Sequence, residues 1–389
     1  MGAVTRVYLD HNATAPLRPS ARAKMLAALD ACGNASSVHA EGRAARATIE
    51  EAREKVAALI GGAARNVVFT SGATEALALA LNGAWRGPQG APDRLLISAT
   101  EHVAALEGHA FGVAATILPV TRAGLIDRAA FEAALAQGVH GGGPPLLCLQ
   151  AANNETGALQ PVADLSARVR ENGGLVVCDA VQAAGRIPAT FESTGADMLV
   201  LSSHKIGGPQ GVGALILRDA RLQCDRPLLR GGGQERGRRA GTENVAAIAG
   251  FGAAAAEVQE RGPAEAALTA ALRDALESDL LRIAPDAEIF GMDAPRLPNT
   301  CAFAIPGTTA ETLLMALDLA GLALSSGSAC SSGKVRRSHV LAAMGVSDHV
   351  ARGALRASFG WNSTRCDVDA FLSALAPVLA RIQRKSPAN

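Results

Sequence analysis

Five times in this 389-residue chain, a short apolar run ends in side chains able to do chemistry. Asn66-Val-Val-Phe69 leads to Ser71-Gly-Ala-Thr74-Glu75, and Arg94-Leu-Leu-Ile97 leads to Glu101-His102. Leu146-Leu-Cys-Leu149 is followed by Asn153-Asn154-Glu155-Thr156-Gly157, and Leu175-Val-Val-Cys178 by Asp179-Ala-Val-Gln182. Met198-Leu-Val-Leu201 ends in Ser202-Ser203-His204-Lys205. Loops are polar in any case, and Asn, Asp and Ser favour turns, so any one of these clusters has an equally good structural explanation. Five in succession, carrying Thr, His, Asn, Asp with Gln, and His-Lys, are harder to explain that way.

A lysine at a strand end can form a Schiff base with an aldehyde cofactor if its surroundings lower its pKa. Pyridoxal phosphate also needs a carboxylate opposite its pyridine nitrogen, an aromatic or imidazole partner over its ring, and a cradle for its phosphate. Asp179 can supply the first and His102 the second; Thr74, Ser202 and His204 can supply the third. Ser71-Gly-Ala-Thr74 comes just before the helical run Glu75–Leu81, so its N–H groups would sit at the positive end of a helix. The plain alternative for Lys205 is a solvated surface lysine. Ser-Ser-His before it and Gly207-Gly208-Pro209 after it argue against that.

The elements that must hold these residues alternate between helix and strand. In Gly42–Ile60, Ala45, Ile49, Ala52, Val56 and Leu59 recur at spacings of four and three, giving one apolar face of an amphipathic helix. The five apolar runs, with Ala214-Leu-Ile-Leu217 as a sixth, are apolar throughout, as suits strands buried on both faces of a mostly parallel sheet. In such a sheet the C-terminal strand ends border the ligand crevice. Residues 15–260 therefore read as a large α/β domain. After Arg261-Gly-Pro263 the pattern changes to helix Ala264–Leu281, a strand near Thr300–Ile305, helix Glu311–Leu319 and a Ser/Gly-rich loop. Helix Ser338–Met344, strand Leu355–Phe359 and a helix from about Asp367 complete a smaller α+β domain, with the boundary near Gly262-Pro263.

Composition narrows the function classes. With 37 Lys+Arg against 36 Asp+Glu the formal charge is +1, and aromatics are 3%, so neither a basic stripe nor a base-stacking platform for nucleic acid is expected. Hydrophobic residues at 49% and charged residues at 19% supply a large core. No apolar stretch is long enough for a bilayer span, and Met1–Asp10 does not read as a secretory signal. The seven cysteines are scattered and contain no C-x-x-C, which argues for a reducing cytoplasm and against a disulfide framework or structural zinc. His102 and His109 lack a third ligand at a metal-binding spacing, so no metal site is expected. Gly327–Val335 imitates a phosphate-binding P-loop but has the wrong spacing and ends in Val.

Tyr8-Leu-Asp-His-Asn-Ala-Thr14, Gly33-Asn-Ala-Ser-Ser37, Phe69-Thr-Ser-Gly-Ala-Thr-Glu75, Asn153–Gly157, Asp179–Gln182 and His204-Lys205 resemble the cysteine desulfurases. So do Gly231-Gly-Gly-Gln-Glu-Arg236, Gly241-Thr-Glu-Asn244 and Ser325-Ser-Gly-Ser-Ala-Cys330-Ser-Ser-Gly333. These are class V aminotransferase relatives among the fold-type I pyridoxal-phosphate enzymes, and the cysteine stretch is similar to the nitrogen-fixation and iron–sulfur-cluster type. The resemblance covers nearly the whole chain, in order. It implies a large domain with a mostly parallel seven-stranded sheet over 15–260, and a small domain from 1–14 with 261–389 that carries a cysteine loop at about 324–335.

The resemblance also assigns roles. Lys205 would form the internal aldimine and shuttle protons, His102 would stack on the ring, Asp179 would pair with the pyridine nitrogen, and Gln182 would bond the ring oxygen. Ala73, Thr74, Ser202 and His204 would hold the phosphate, joined by Thr242 from the second subunit of a homodimer. Asn154 and Arg356 would face the cofactor and bind the substrate carboxylate. Where many relatives differ, this chain carries His11, Gln210 and Arg239-Ala240-Gly241.

Cys330 decides the reaction. SSGSACSSG is too small and polar to build a core, as suits an accessible nucleophile, whereas Cys148, Cys178 and Cys301 lie in apolar strand runs. The expected step is attack by the Cys330 thiolate on the sulfur of cofactor-bound L-cysteine, releasing alanine and leaving a persulfide. An acceptor such as an iron–sulfur scaffold would then take the sulfur. A selenocysteine lyase or aminotransferase on the same scaffold remains the alternative, as does a binding scaffold without turnover. Lys334, Arg336 and Arg337 form a basic cluster that reads as a solvated loop or as a docking point for the acceptor.

Overall fold

The computed structural model describes residues 6–137, 142–326 and 337–385. Across its large sheet the strands follow the order Val67–Thr70, Gly213–Leu217, Met198–Ser202, Leu175–Asp179, Pro145–Gln150, Arg94–Ser98 and Thr116–Leu118. Gly213–Leu217 runs antiparallel to both neighbours, and the remaining pairings are parallel. The six apolar runs are therefore strands, though the last of them is reversed. The sequence pattern does not reveal the seventh, Thr116–Leu118: it has three residues at the sheet edge, with Ile117 exposed, so no apolar run marks it.

Alternate residues of each strand face opposite sides of the sheet. Val67, Phe69, Leu147, Val176, Cys178 and Leu199 pack with Ile49 and Val56 of helix Ala40–Leu59 and with Phe251. Val68, Leu146, Cys148, Val177, Val200 and Leu215 pack on the other face with Leu77 and Leu79 of helix Ala73–Ala80. Each fully buried side chain of this size contributes roughly 1.5–3 kcal/mol, which fixes a register that side-chain alternation makes intolerant of slippage. That register sets Gln150 beside Asp179 and Asp179 beside Val200, so the polar strand ends form one row.

The expected boundary at Gly262-Pro263 falls inside a single 39-residue helix, Val245–Ile283. A proline inside a helix costs about 3 kcal/mol because it lacks an N–H and crowds the preceding turn. Packing on both sides offsets this: Phe251, Ala254 and Val258 belong to the core of the large sheet, and Leu272, Leu276 and Leu280 to the C-terminal core. In that second core the strands Glu288–Ile289, Thr300–Ala304, Ala354–Ser358 and Ser325–Ser326 form an antiparallel sheet. Helices Ala310–Leu319 and Arg365–Lys385 cover it. Near the N-terminus Val7–Tyr8 pairs with Leu322–Ala323, Leu9 joins the same core, and Asp10 bridges to Ser358. This brings residues 10–14 and Arg356 to the mouth of the row of strand ends. No described helix is long and apolar enough to cross a membrane.

Candidate active site

The strand ends and the N-terminal segment enclose a cavity of about 470 Å³. Ala73, Thr74, His102, Asn154, Asp179, Gln182, Ser202, His204, Lys205 and Arg356 all line it. Thr242 is exposed and does not line the cavity of its own chain. Cys330 lies outside the described residues.

One end of the cavity is built for an anion. The helix Ala73–Ala80 starts after Gly72 with no side-chain cap, leaving first-turn N–H groups at its positive end. Gly213 makes room for this start, because a Cβ there would lie 2.7 Å from the Gly72 carbonyl carbon. The Glu75 carboxylate accepts the Ser71 N–H at 2.7 Å and pairs with Arg239 at 2.9 Å, securing the loop without filling the cavity. Ser202 pairs with Gly213, which abuts Gly72, and both Ser202 and His204 line the cavity. His204 Nδ1 bonds the Thr14 hydroxyl at 2.7 Å, and burial with the neighbouring Lys205 charge pushes its pKa down to about 4. His204 is therefore a neutral hydrogen-bonding group at physiological pH.

Asp179 forms the floor. Its Oδ1 accepts the Val181 N–H at 2.9 Å, and burial pushes its pKa up, opposed by that bond and by the His102 and Lys205 charges. Among the described residues no basic side chain hydrogen-bonds it. His102 is the N-cap of the short helix Val103–Leu106, its Nδ1 accepting the Ala104 N–H at 3.1 Å. This leaves the proton of the neutral ring on Nε2. Burial lowers the His102 pKa. Next to Asp179, Glu101 is fully buried and accepts the Gln150 N–H at 2.6 Å; burial and the Asp179 charge raise its pKa.

Lys205 Nζ donates to the backbone oxygens of Asn12 at 2.7 Å and Ala13 at 2.8 Å. Burial first, then the Arg186 and Arg356 charges, push its pKa down to about 8. Gln182 donates from Nε2 to the Asn12 oxygen at 2.9 Å. Arg356 donates from Nη1 to the Asn154 oxygen at 2.9 Å and from Nη2 to Asp10 Oδ1 at 2.5 Å, while its buried Nε has no partner among the described residues. Asp10, Asn12 and Arg186 were not singled out as site residues in the sequence. Asp10 and Asn12 lie in the Tyr8–Thr14 motif, but Asn12 reaches Lys205 through its backbone oxygen, which side-chain chemistry does not reveal.

The donor set suits pyridoxal phosphate. It offers an uncapped helix start for the phosphate, a buried carboxylate without a cationic hydrogen-bond partner for a pyridine N–H, and an amine of lowered pKa within the same cavity.

The Aminotransferase class-V family profile matches residues 7–371. A cysteine desulfurase of Enterobacter agglomerans is 40% identical, covering 98% of this chain and 94% of that protein. An IscS-like cysteine desulfurase of Mycobacterium tuberculosis is 41% identical, covering 97% of each. Among solved structures, a NifS-like protein from Rickettsia africae superimposes with a TM-score of 0.87 at 34% identity, covering 96% of this chain and 99% of that one. The chain belongs to the class-V aminotransferase family and, within it, groups with the cysteine desulfurases.

Proposed function

We propose that the chain is a pyridoxal-phosphate-dependent cysteine desulfurase that takes sulfur from L-cysteine, releases L-alanine and carries the sulfur as a persulfide on Cys330. The observation that carries this reading is the convergence of Lys205, Asp179, His102 and Arg356 on one cavity, in a chain about 40% identical to cysteine desulfurases over nearly its full length. A 29% identical relative of known structure, SspA in complex with cysteine, adds support for the substrate class.

The first-turn N–H groups of Ala73 and Thr74, with Ser202 and His204, would hold the cofactor phosphate; Asp179, Gln182 and His102 would hold its ring, and the Lys205 amine would attach it. The bound cofactor supplies an electron sink for the amino acid. Arg356 and the side chain of Asn154, both lining the cavity, hold the substrate carboxylate. With a pKa near 8, Lys205 can give and take a proton at the substrate carbons near neutral pH. His102, with its Nδ1 engaged, presents a single Nε2–H. The Cys330 thiolate attacks the cysteine sulfur, the Cβ–S bond breaks, and a proton replaces sulfur on Cβ. The products are alanine and a Cys330 persulfide, so atoms and electrons balance without an outside oxidant.

Residues 15–260 serve as the cofactor domain, and 1–14 with 261–389 as the domain that carries Cys330. Thr242 completes the phosphate site of a second copy in a homodimer, which accounts for its exposure here. A cytoplasmic sulfur acceptor, such as an iron–sulfur scaffold, removes the persulfide sulfur. The test is incubation of cofactor-loaded protein with L-cysteine. The expected result is alanine together with a mass gain of one sulfur on the Cys330 peptide, and a Cys330→Ala variant that keeps cofactor absorbance but forms no alanine. Conversion of an amino donor to an oxo acid, undiminished in Cys330→Ala, would show an aminotransferase instead.

A further inference from the structure

The lysine turn has a second face, turned away from the cofactor cavity. There the charged and titratable side chains lining a small pocket of about 40 Å³ are His11, Arg18, Arg186, Lys205 and Glu265. The two arginines differ in their partners. Arg18 Nε donates to the Ile206 oxygen at 2.9 Å, and its two terminal nitrogens pair with Glu257 at 2.9 Å and Glu265 at 2.6 Å. Arg186 bonds only neutral oxygens: Gln182 O at 2.8 Å, the Gln182 side-chain oxygen, and, more loosely, His11 O at 3.5 Å and Lys205 O at 3.4 Å. Among the described residues no carboxylate pairs with it.

A guanidinium taken partly out of water without a counter-anion is costly, and its charge is felt by whatever lies nearest. The Arg186 pKa itself is pushed down to about 10, by burial and by the Arg356 charge. The group connected to it is Lys205, along two routes. One is the direct bond to the Lys205 carbonyl. The other runs from Arg186 to Gln182, from Gln182 to the Asn12 oxygen, and from that oxygen to Lys205 Nζ.

We infer that Arg186 is a positioning residue for Lys205, its unneutralised charge favouring the free-amine form of the lysine while its fork orients Gln182. The inference rests on the reading of Lys205 as the cofactor-binding lysine and extends it to a residue that never touches cofactor or substrate.

The other charges around Lys205 do not duplicate this effect. Arg356 is ion-paired with Asp10 at 2.5 Å, so its repulsion is largely offset. Asp179, on the cofactor side, acts in the opposite direction and favours a protonated lysine. His204 is pushed down to about 4 and His11, by burial and by Arg186 itself, to about 3, so both are neutral near pH 7; burial also lowers the His102 pKa. Arg18 is neutralised by Glu257 and Glu265. Arg186 is the unpaired charge that remains behind the lysine.

The experiment uses full-length protein stripped of cofactor, as wild type and as Arg186→Gln, Arg186→Met and Arg186→Lys. The rate of pyridoxal phosphate capture is followed through a pH series, and borohydride reduction with peptide mapping locates the attachment. Only the unprotonated amine reacts, so the pH midpoint reports Lys205. Either neutral variant is expected to move the midpoint up by about one unit, slowing capture near pH 7 about tenfold. Arg186→Lys, which keeps the charge but not the fork, is expected to stay close to wild type in midpoint. A neutral variant that captures with the wild-type midpoint, or a lysine variant shifted as far as glutamine, would overturn the inference. Capture at a residue other than Lys205 in the wild type would instead overturn the functional reading, and the inference with it.

Discussion

Two arginines grip the turn that carries Lys205, and they do different work. Arg18 is 3% exposed, forks onto two glutamates of the long helix Val245–Ile283, and lies over the Trp361 ring at 5.5 Å. Its charge is cancelled, and what remains is a mechanical tie between the turn, the helix and the C-terminal segment. Among the described residues Arg186 has only neutral oxygens to bind, so its charge is not cancelled and acts on the neighbouring amine. The same contrast recurs in and beside the cavity: Asp179 lines it and Glu155 follows the lining residue Asn154, and among the described residues neither buried carboxyl has a basic hydrogen-bond partner. Paired buried charge secures the frame, and unpaired buried charge tunes the chemistry.

The comparison can be broken at several points, starting with the largest effect. Lys205→Ala removes the group both arginines serve; covalent cofactor capture and alanine formation should both fall below detection, read by absorbance and by product analysis. Asp179→Asn neutralises an unpaired charge of the cavity floor. It should lower turnover on the order of 100-fold while thermal stability is kept or rises slightly. Arg18→Met should do the reverse. It strands two glutamates and should lower unfolding stability by about 2 kcal/mol in denaturant titration, less than for a fully buried pair because Glu257 and Glu265 keep 17% and 19% exposure.

Glu155 tests the contrast through pH. Burial pushes its pKa from the usual 4.5 up to about 7, against the opposing bond from Ser338 at 2.5 Å and the Arg356 charge. Between those two pH values the native protein holds a proton that the unfolded chain releases, so this group makes stability fall as pH rises through the window. Glu155→Gln should flatten that fall by roughly 1–3 kcal/mol in denaturant midpoints compared across the window. The smallest effect is expected for Arg186→Met, whose stability should stay within about 1 kcal/mol of wild type because no carboxylate is left unpaired. A loss as large as that of Arg18→Met would erase the distinction between the two arginines.

The parts of the site legible in the sequence are those made by side chains at the ends of apolar runs. Thr74, His102, Asp179, Ser202, His204 and Lys205 could be read directly, because a strand buried on both faces leaves its polar end as the place for function. Ala73, Asn154, Gln182 and Arg356 needed the family resemblance, since an alanine N–H or one arginine in a strand carries no signature of its own. The backbone oxygens of Asn12 and Ala13 were hidden because they arrive from residues nearly two hundred positions away. Arg186, after Ala183-Ala184-Gly185, reads as a surface turn until the fold closes His11 and the back of Lys205 around it. The helix expected over Ala264–Leu281 begins instead at Val245, because two hydrophobic cores hold it together through Pro263 where local propensity would end it.

The most direct test of the central claim is borohydride reduction of the cofactor-loaded wild-type protein followed by peptide mapping. The expected result is a single pyridoxyl-labelled peptide carrying the label on Lys205. A label on any other lysine, or none on a protein that still releases alanine from cysteine, would contradict it.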